Sequence, residues 1–260
     1  KIIDILKKEN DLSNFKISVC DEIPAHNGLG SGTQLALSVG YLIAEFNKLK
    51  LDINQLAFLF RRGRRSGIGI ECFKKGGFNI DVGKLKGSIK PPLSIFNMKW
   101  PKDWKILLIL DKNLEGLHGK KEVQELKELK KIHKNKTNLN CKSLLMNIIP
   151  GLIEKNFEEF TKGIRAIQDM MSETFYGKRT KYASISIEKI FKNLNKKGIK
   201  CYGQSSWGPT GFVFVENSKK RNELSKYLET YISLNNIHGL KILKVEGRNF
   251  GKKIISKGEE

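Results

Sequence analysis

The stretch Pro24-Ala25-His26-Asn27-Gly28-Leu29-Gly30-Ser31-Gly32-Thr33-Gln34 gathers three glycines, two hydroxyls and side-chain amides between an alternating apolar segment and a helix-patterned one. A glycine-rich turn in that setting lets the backbone approach a ligand closely and aims free N–H groups at it. The dipole of the following helix favours an anion, so phosphate or pyrophosphate is the natural guest, with Ser31, Thr33 and Gln34 as further donors. The plainer alternative is an N-capped helix after a tight turn, with Ser31 or Thr33 as the cap. Three glycines in five positions exceed what capping requires.

Three familiar anion loops do not match. A Walker loop needs a Lys that does not follow Gly32. A dinucleotide fingerprint needs glycine at Thr33, and a nucleophile elbow needs it at Leu29.

The elements that must carry this loop follow from periodicity. Phe15–Val19 alternates like a strand, and 33–48 repeats like a helix, with Leu35, Ala36, Val39, Leu42, Ile43 and Phe46 as its expected buried stripe. A short helix over 53–60 leads into Arg61-Arg62-Gly63-Arg64-Arg65-Ser66-Gly67-Ile68-Gly69, and 76–83 reads as a glycine-framed strand. Pro91, Pro92 and Pro101 mark a loop before the apolar strand Lys105–Leu110. Helices are expected at 120–133, 141–149, 157–172 and 183–197, then a strand–turn–strand around Gly203–Thr210, a helix at 221–232 and a strand at 240–245. The order makes an α+β chain in two lobes, 1–135 and 136–260.

Composition excludes several classes. The 260 residues, 39% hydrophobic and 29% charged, suit a folded protein rather than a disordered one. No apolar run reaches membrane-spanning length, so no membrane partner is expected. The net charge of +21 could indicate nucleic acid, but 40 of the 48 basic residues are scattered lysines, and no zinc spacing or aromatic-basic reader motif accompanies them. Four of the eight arginines sit together at Arg61, Arg62, Arg64 and Arg65. Cys20, Cys72, Cys141 and Cys201 are widely spaced, as free thiols of a reducing cytoplasm would be.

The loop resembles that of the galacto-, homoserine, mevalonate and phosphomevalonate kinase (GHMP) superfamily, which reads Pro-x3-Gly-Leu-Gly-Ser-Ser. Its variant Gly28–Gln34 resembles one branch in particular, the beta-ribofuranosylaminobenzene 5'-phosphate synthases of methanopterin biosynthesis. Further segments agree in order: Arg64–Ile70, Phe73 with Gly76-Gly77-Phe78 and Asp81, Trp100-Pro101 with Trp104, Gly116–Gly119 with Glu122, and Gly203-Gln204-Ser205-Ser206-Trp207-Gly208-Pro209-Thr210. Arg61 and Val82 stand where that branch usually has glycine. The resemblance implies the two-lobed GHMP-kinase-like fold, a phosphate-loop lobe and a C-terminal α/β sandwich lobe. It also implies that first strands are missing before Lys1, where no initiating Met stands.

That branch condenses phosphoribosyl pyrophosphate with 4-aminobenzoate, releasing pyrophosphate and carbon dioxide. The resemblance therefore implies phosphorylated small-molecule substrates and Mg²⁺, and leaves room for a homodimer. It assigns Gly28, Leu29, Gly30, Ser31, Gly32, Thr33 and Gln34, with His26, Arg62 and Arg64, to the pyrophosphate. Asp81 and Arg65 are the implied catalytic residues, and Glu22 with Asp81 the implied metal ligands. Gln204, Ser205, Ser206 and Trp207 would offer polar contacts and an aromatic wall. The alternative is an ATP-dependent small-molecule kinase on the same fold, against which Gly32-Thr33-Gln34 argues, since the kinases have Ser-Ser-Ala there. Structural roles remain open for each: Asp81 as a turn cap, Trp207 as a core plug, the arginines as a solvated turn.

Overall fold

The computed structural model describes residues 1–8, 10–85, 87–116, 124, 134–176 and 181–255, the side chains of 175 and 176 excepted. The expected helix 120–133 and the pair His118 and Glu122 lie outside the described residues, apart from residue 124. By contact density the chain forms two units: one of 1–25, 30–100 and 248–260, the other of 26–29 and 101–247. The change of unit therefore falls at Pro101 rather than at 136, because the strand after it hydrogen-bonds to strands near the end of the chain. Among the described residues no helix is long and apolar enough to cross a membrane.

The first unit holds α1 (Ile2–Lys7), α2 (Ser31–Phe46), α3 (Ile53–Leu59), α4 (Ile68–Lys75) and the antiparallel pair β1 (Phe78–Asp81) and β2 (Ser94–Met98). Its core joins Leu6, Leu37, Ile43, Leu56, Phe60, Ile70 and Phe73. Asp52 starts α3 with a capping box, accepting from Gln55 N at 2.8 Å while its own N–H donates to Gln55 Oε1 at 2.7 Å.

Two expectations need correcting here. Phe15–Val19 is not a strand; Phe15 and Ile17 pack against the helical core, and no described strand pairs beside them. The buried face of α2 is Ala36, Leu37, Gly40, Ile43 and Ala44, whereas Leu35, Leu42 and Phe46 are exposed. The helix is turned so that Gly40 lies against the Phe60 ring, which rotates the apolar stripe away from the expected one.

The second unit is built on an antiparallel sheet ordered β4-β5-β3-β6, from β3 (Lys105–Asp111), β4 (Tyr202–Gln204), β5 (Thr210–Val215) and β6 (Leu240–Glu246). Its helical elements are α5 (Lys134–Ser143), a π-turn at Leu144–Ile148, α6 (Ile149–Ile153), α7 (Phe157–Tyr176), α8 (Ile185–Lys196) and α9 (Ser218–Leu234). Leu107, Ile109, Val213 and Val215 pack against Ile187, Ile190, Phe191, Leu194, Leu224 and Leu228 as the core. At the end of β3 the buried Asp111 accepts from Ser184 Oγ at 2.6 Å, and Ser184 in turn caps α8 by accepting from Ile187 N.

Candidate active site

Within the first unit the loop ends at Gly30, which takes the left-handed conformation (φ 75°) as the N-cap of α2. No side chain caps this helix. Thr33 and Gln34 donate their main-chain N–H groups to Gly30 O, while the opening N–H groups of the sixteen-residue helix keep their dipole toward the loop. Neither Ser31 nor Thr33 is the cap, so the plainer capping alternative does not account for them.

The arginine segment reaches this end of α2 through one side chain. A Cβ built on Gly32 would lie 3.4 Å from Arg62 Nη1, so glycine there leaves the guanidinium lying against the first helical turn. Arg62 Nε is buried without a hydrogen-bond partner among the described residues, and burial pushes the guanidinium pKa below its ordinary value. A guanidinium stays charged at neutral pH, so a half-buried cation stands at a helix N-terminus with hydrogen-bonding capacity to spare. Arg61, Arg64 and Arg65 are exposed. Around Arg62 the backbone takes positive φ at Arg61 and Gly63, and Arg62 N donates to Ala57 O at 2.7 Å.

Gln34 contacts the same segment. Its Nε2 donates to Gly69 O at 2.7 Å, and a Cβ on Gly69 would come within 3.2 Å of Thr33.

Asp81 closes the far end of the arginine segment. Its Oδ2 accepts from Ser66 Oγ at 2.7 Å and Gly67 N at 2.8 Å, and its Oδ1 accepts from Gly83 N at 2.9 Å. Both oxygens are thus engaged, and the carboxylate braces the turn that starts α4 and its own turn at Gly83. Glu22 is exposed. Among the described residues no group of three or more His, Cys, Asp or Glu is placed to hold a metal ion.

In the second unit the other part of the loop, His26–Leu29, meets the strand–turn–strand motif. Ser205 Oγ donates to Gly28 O at 2.7 Å, and Gly116 N donates to His26 O at 2.7 Å. A Cβ on Gly28 would meet Ser205 O at 2.3 Å, and one on Gly208 would meet Asn27 C and O at 2.3 Å. These backbones touch, which only glycine allows. Gln204 fixes the turn: its Nε2 donates to Ser206 O at 2.9 Å, its Oε1 accepts from Ala183 N, and its own N–H donates to Gln168 Oε1. Ser206 holds a left-handed φ of 51° and Trp207 is half-buried. Ser66 and Gly69 stood out only as part of the segment Arg64–Ile70, and Gln168 gave no signal in the sequence, because its role depends on a partner distant along the chain.

The family described as "GHMP kinases N terminal domain" matches residues 1–80. Beta-ribofuranosylphenol 5'-phosphate synthase of Methanocaldococcus jannaschii is 30% identical over 270 residues, covering 98% of this chain and 77% of that protein. The protein of the same name from Methanothermobacter thermautotrophicus is 29% identical, over 81% of this chain and 67% of that protein. Homoserine kinase of Cytophaga hutchinsonii superposes with a TM-score of 0.64 at 15% identity, over 90% of this chain and 70% of that structure, which shows a common fold. With its α+β architecture and its Gly28–Gln34 loop, the chain belongs to the beta-ribofuranosylphenol 5'-phosphate synthase family, a branch of the GHMP kinase superfamily.

Proposed function

We propose that this chain is a decarboxylating C-ribosyltransferase that joins phosphoribosyl pyrophosphate to a 4-substituted benzoate. The observation that carries the reading is Arg62, a partly buried cation with an unused Nε, lying against Gly32 at the uncapped start of α2. As the bond from the anomeric carbon to pyrophosphate breaks, negative charge builds on the leaving group. The helix start and the guanidinium are fixed in advance where that charge develops, which stabilises the transition state with little reorganisation. Any divalent ion would arrive on the pyrophosphate oxygens themselves, as Mg²⁺ commonly does.

The acceptor step then balances without a protein base. The ring carbon bearing the carboxylate attacks the anomeric carbon, giving a cation-like ring. Loss of carbon dioxide returns its bonding pair to the ring and restores aromaticity. A para amine or hydroxyl stabilises that cation equally in kind. The relatives' name carries a phenol, which favours 4-hydroxybenzoate beside the 4-aminobenzoate expected from the sequence.

The test incubates the protein with Mg²⁺, phosphoribosyl pyrophosphate and each carboxyl-labelled acid in parallel. Labelled carbon dioxide released in step with pyrophosphate is the expected result, and Gly30→Val, which puts a β-branched residue at φ 75°, should abolish it. ATP turnover with an alcohol acceptor, and no label released from either acid, would overturn the reading in favour of a kinase.

A further inference from the structure

Gln34, Thr33 and Gly32 occupy the first turn of α2, and each meets the segment that carries Arg62. Gln34 Nε2 donates to Gly69 O at 2.7 Å. Thr33 fills the space beside Gly69, where a Cβ would come within 3.2 Å of its methyl carbon. Gly32 leaves room for the Arg62 guanidinium, 3.4 Å from where its Cβ would stand. The arginine thus stands seven positions before the point at which its segment is tied to the same helical turn.

We propose that Gln34 is a positioning residue: by holding Gly69 it keeps the segment 62–69 seated on α2, so that Arg62 faces the anion rather than solvent. The inference rests on the pyrophosphate reading of this loop and deepens it. One of the two N–H donors of the Gln34 amide is engaged by Gly69, and its effect on affinity runs through Arg62. The seat has one hydrogen-bonded tether and one tight van der Waals contact on Gly69. Between Arg62 and Gly69 the segment has a separate anchor, Ser66 and Gly67 on Asp81. Losing the Gln34 tether should therefore free the guanidinium without unfolding the segment.

The experiment is a double-mutant cycle read by calorimetric binding of inorganic pyrophosphate, with Gln34→Met, Arg62→Ala and the pair. Methionine keeps the length and apolar volume and removes the donor. Gln34→Met should weaken pyrophosphate binding about ten-fold with a melting temperature within a few degrees of wild type, and should cost almost nothing further once Arg62 is alanine. In turnover it should raise the KM for phosphoribosyl pyrophosphate while kcat changes little. Unchanged affinity in Gln34→Met, or losses that simply add in the double variant, would overturn the positioning role. Wild-type protein that binds no pyrophosphate would instead overturn the anion reading of the loop, so the two failures are told apart.

Discussion

The side-chain hydroxyl of Ser205 donates to the main-chain carbonyl of Gly28 at 2.7 Å, across 177 positions of chain. A carbonyl in the glycine loop is thus held by a residue of the motif between β4 and β5. Gly208 N donates to Ser205 O at 3.1 Å and the Gly208 backbone lies on Asn27, so the hydroxyl, the turn and the loop form one backbone-level joint.

Ser205→Ala should lower stability by about 1 kcal/mol, the usual net worth of one such bond, and lower turnover with it. Gly28→Ala combines a φ of 74° with a Cβ placed 2.3 Å from Ser205 O, so it should cost well beyond the roughly 1–3 kcal/mol of backbone strain alone. Urea denaturation of the two variants, set beside wild type, checks the ordering. A Gly28→Ala protein as stable as Ser205→Ala would show that the loop does not press on the turn.

Asp81 was expected from the family resemblance to be catalytic or metal-binding, and the structure gives its carboxylate three protein donors. Asp81→Ala should therefore lose stability and activity together, by about 1–3 kcal/mol, because three donors lose their acceptor at once. Asp81→Asn keeps one acceptor oxygen and should fall between. A variant inactive yet as stable as wild type would return Asp81 to the chemistry.

Cys201 is buried, and burial pushes its thiol from the ordinary value of 9.0 up to about 12. Iodoacetamide at pH 8 should label the exposed Cys20 and Cys141 and spare Cys201 until the protein unfolds. Because the folded pKa is raised, the neutral thiol's contribution to stability is fully present below about pH 9 and is lost as pH climbs toward 12. The stability gap between wild type and Cys201→Ala should accordingly shrink by about 2 kcal/mol between pH 8 and pH 10.5, measured by urea titration at each pH. A gap that widens with pH would contradict the sign.

Thr210 is fully buried at the start of β5, and its Oγ1 has no partner among the described residues. Thr210→Val keeps the shape and removes the unsatisfied hydroxyl. It should leave the urea midpoint unchanged or raise it, by up to about 1 kcal/mol in stability. A loss of that size would reveal an acceptor for the hydroxyl.

What the sequence made legible was local. The glycine loop, the start of α2, the capped α3 and the strands β3 and β5 follow from residues within a few positions of one another. The stripe on α2 was misjudged because which of two apolar faces is buried depends on where Phe60 arrives, sixty residues into the chain. Phe15–Val19 alternates as a strand does, yet two of its side chains satisfy the pattern by packing on helices. β2 was hidden behind Pro91 and Pro92, because its pairing with β1 comes from a partner thirteen residues back, across a proline-marked loop. Arg62 was grouped with Arg64 and Arg65 beside the loop; what sets it apart, its guanidinium lying against Gly32, depends on a contact thirty residues apart in the chain.

The joint at Gly28 has a kinetic side. A Cβ on Gly116 would lie 2.7 Å from His26 O and 2.8 Å from Gly208 Cα, so three stretches of chain, widely spaced in sequence, meet there with backbone against backbone. Backbone-to-backbone contacts of this kind bury little apolar surface that could draw the crossing together early. Closing it means paying the entropy of two long loops before any of its hydrogen bonds form. The loop should therefore be among the last parts of this unit to gain amide protection during refolding, after the sheet of β3, β5 and β6 has already set.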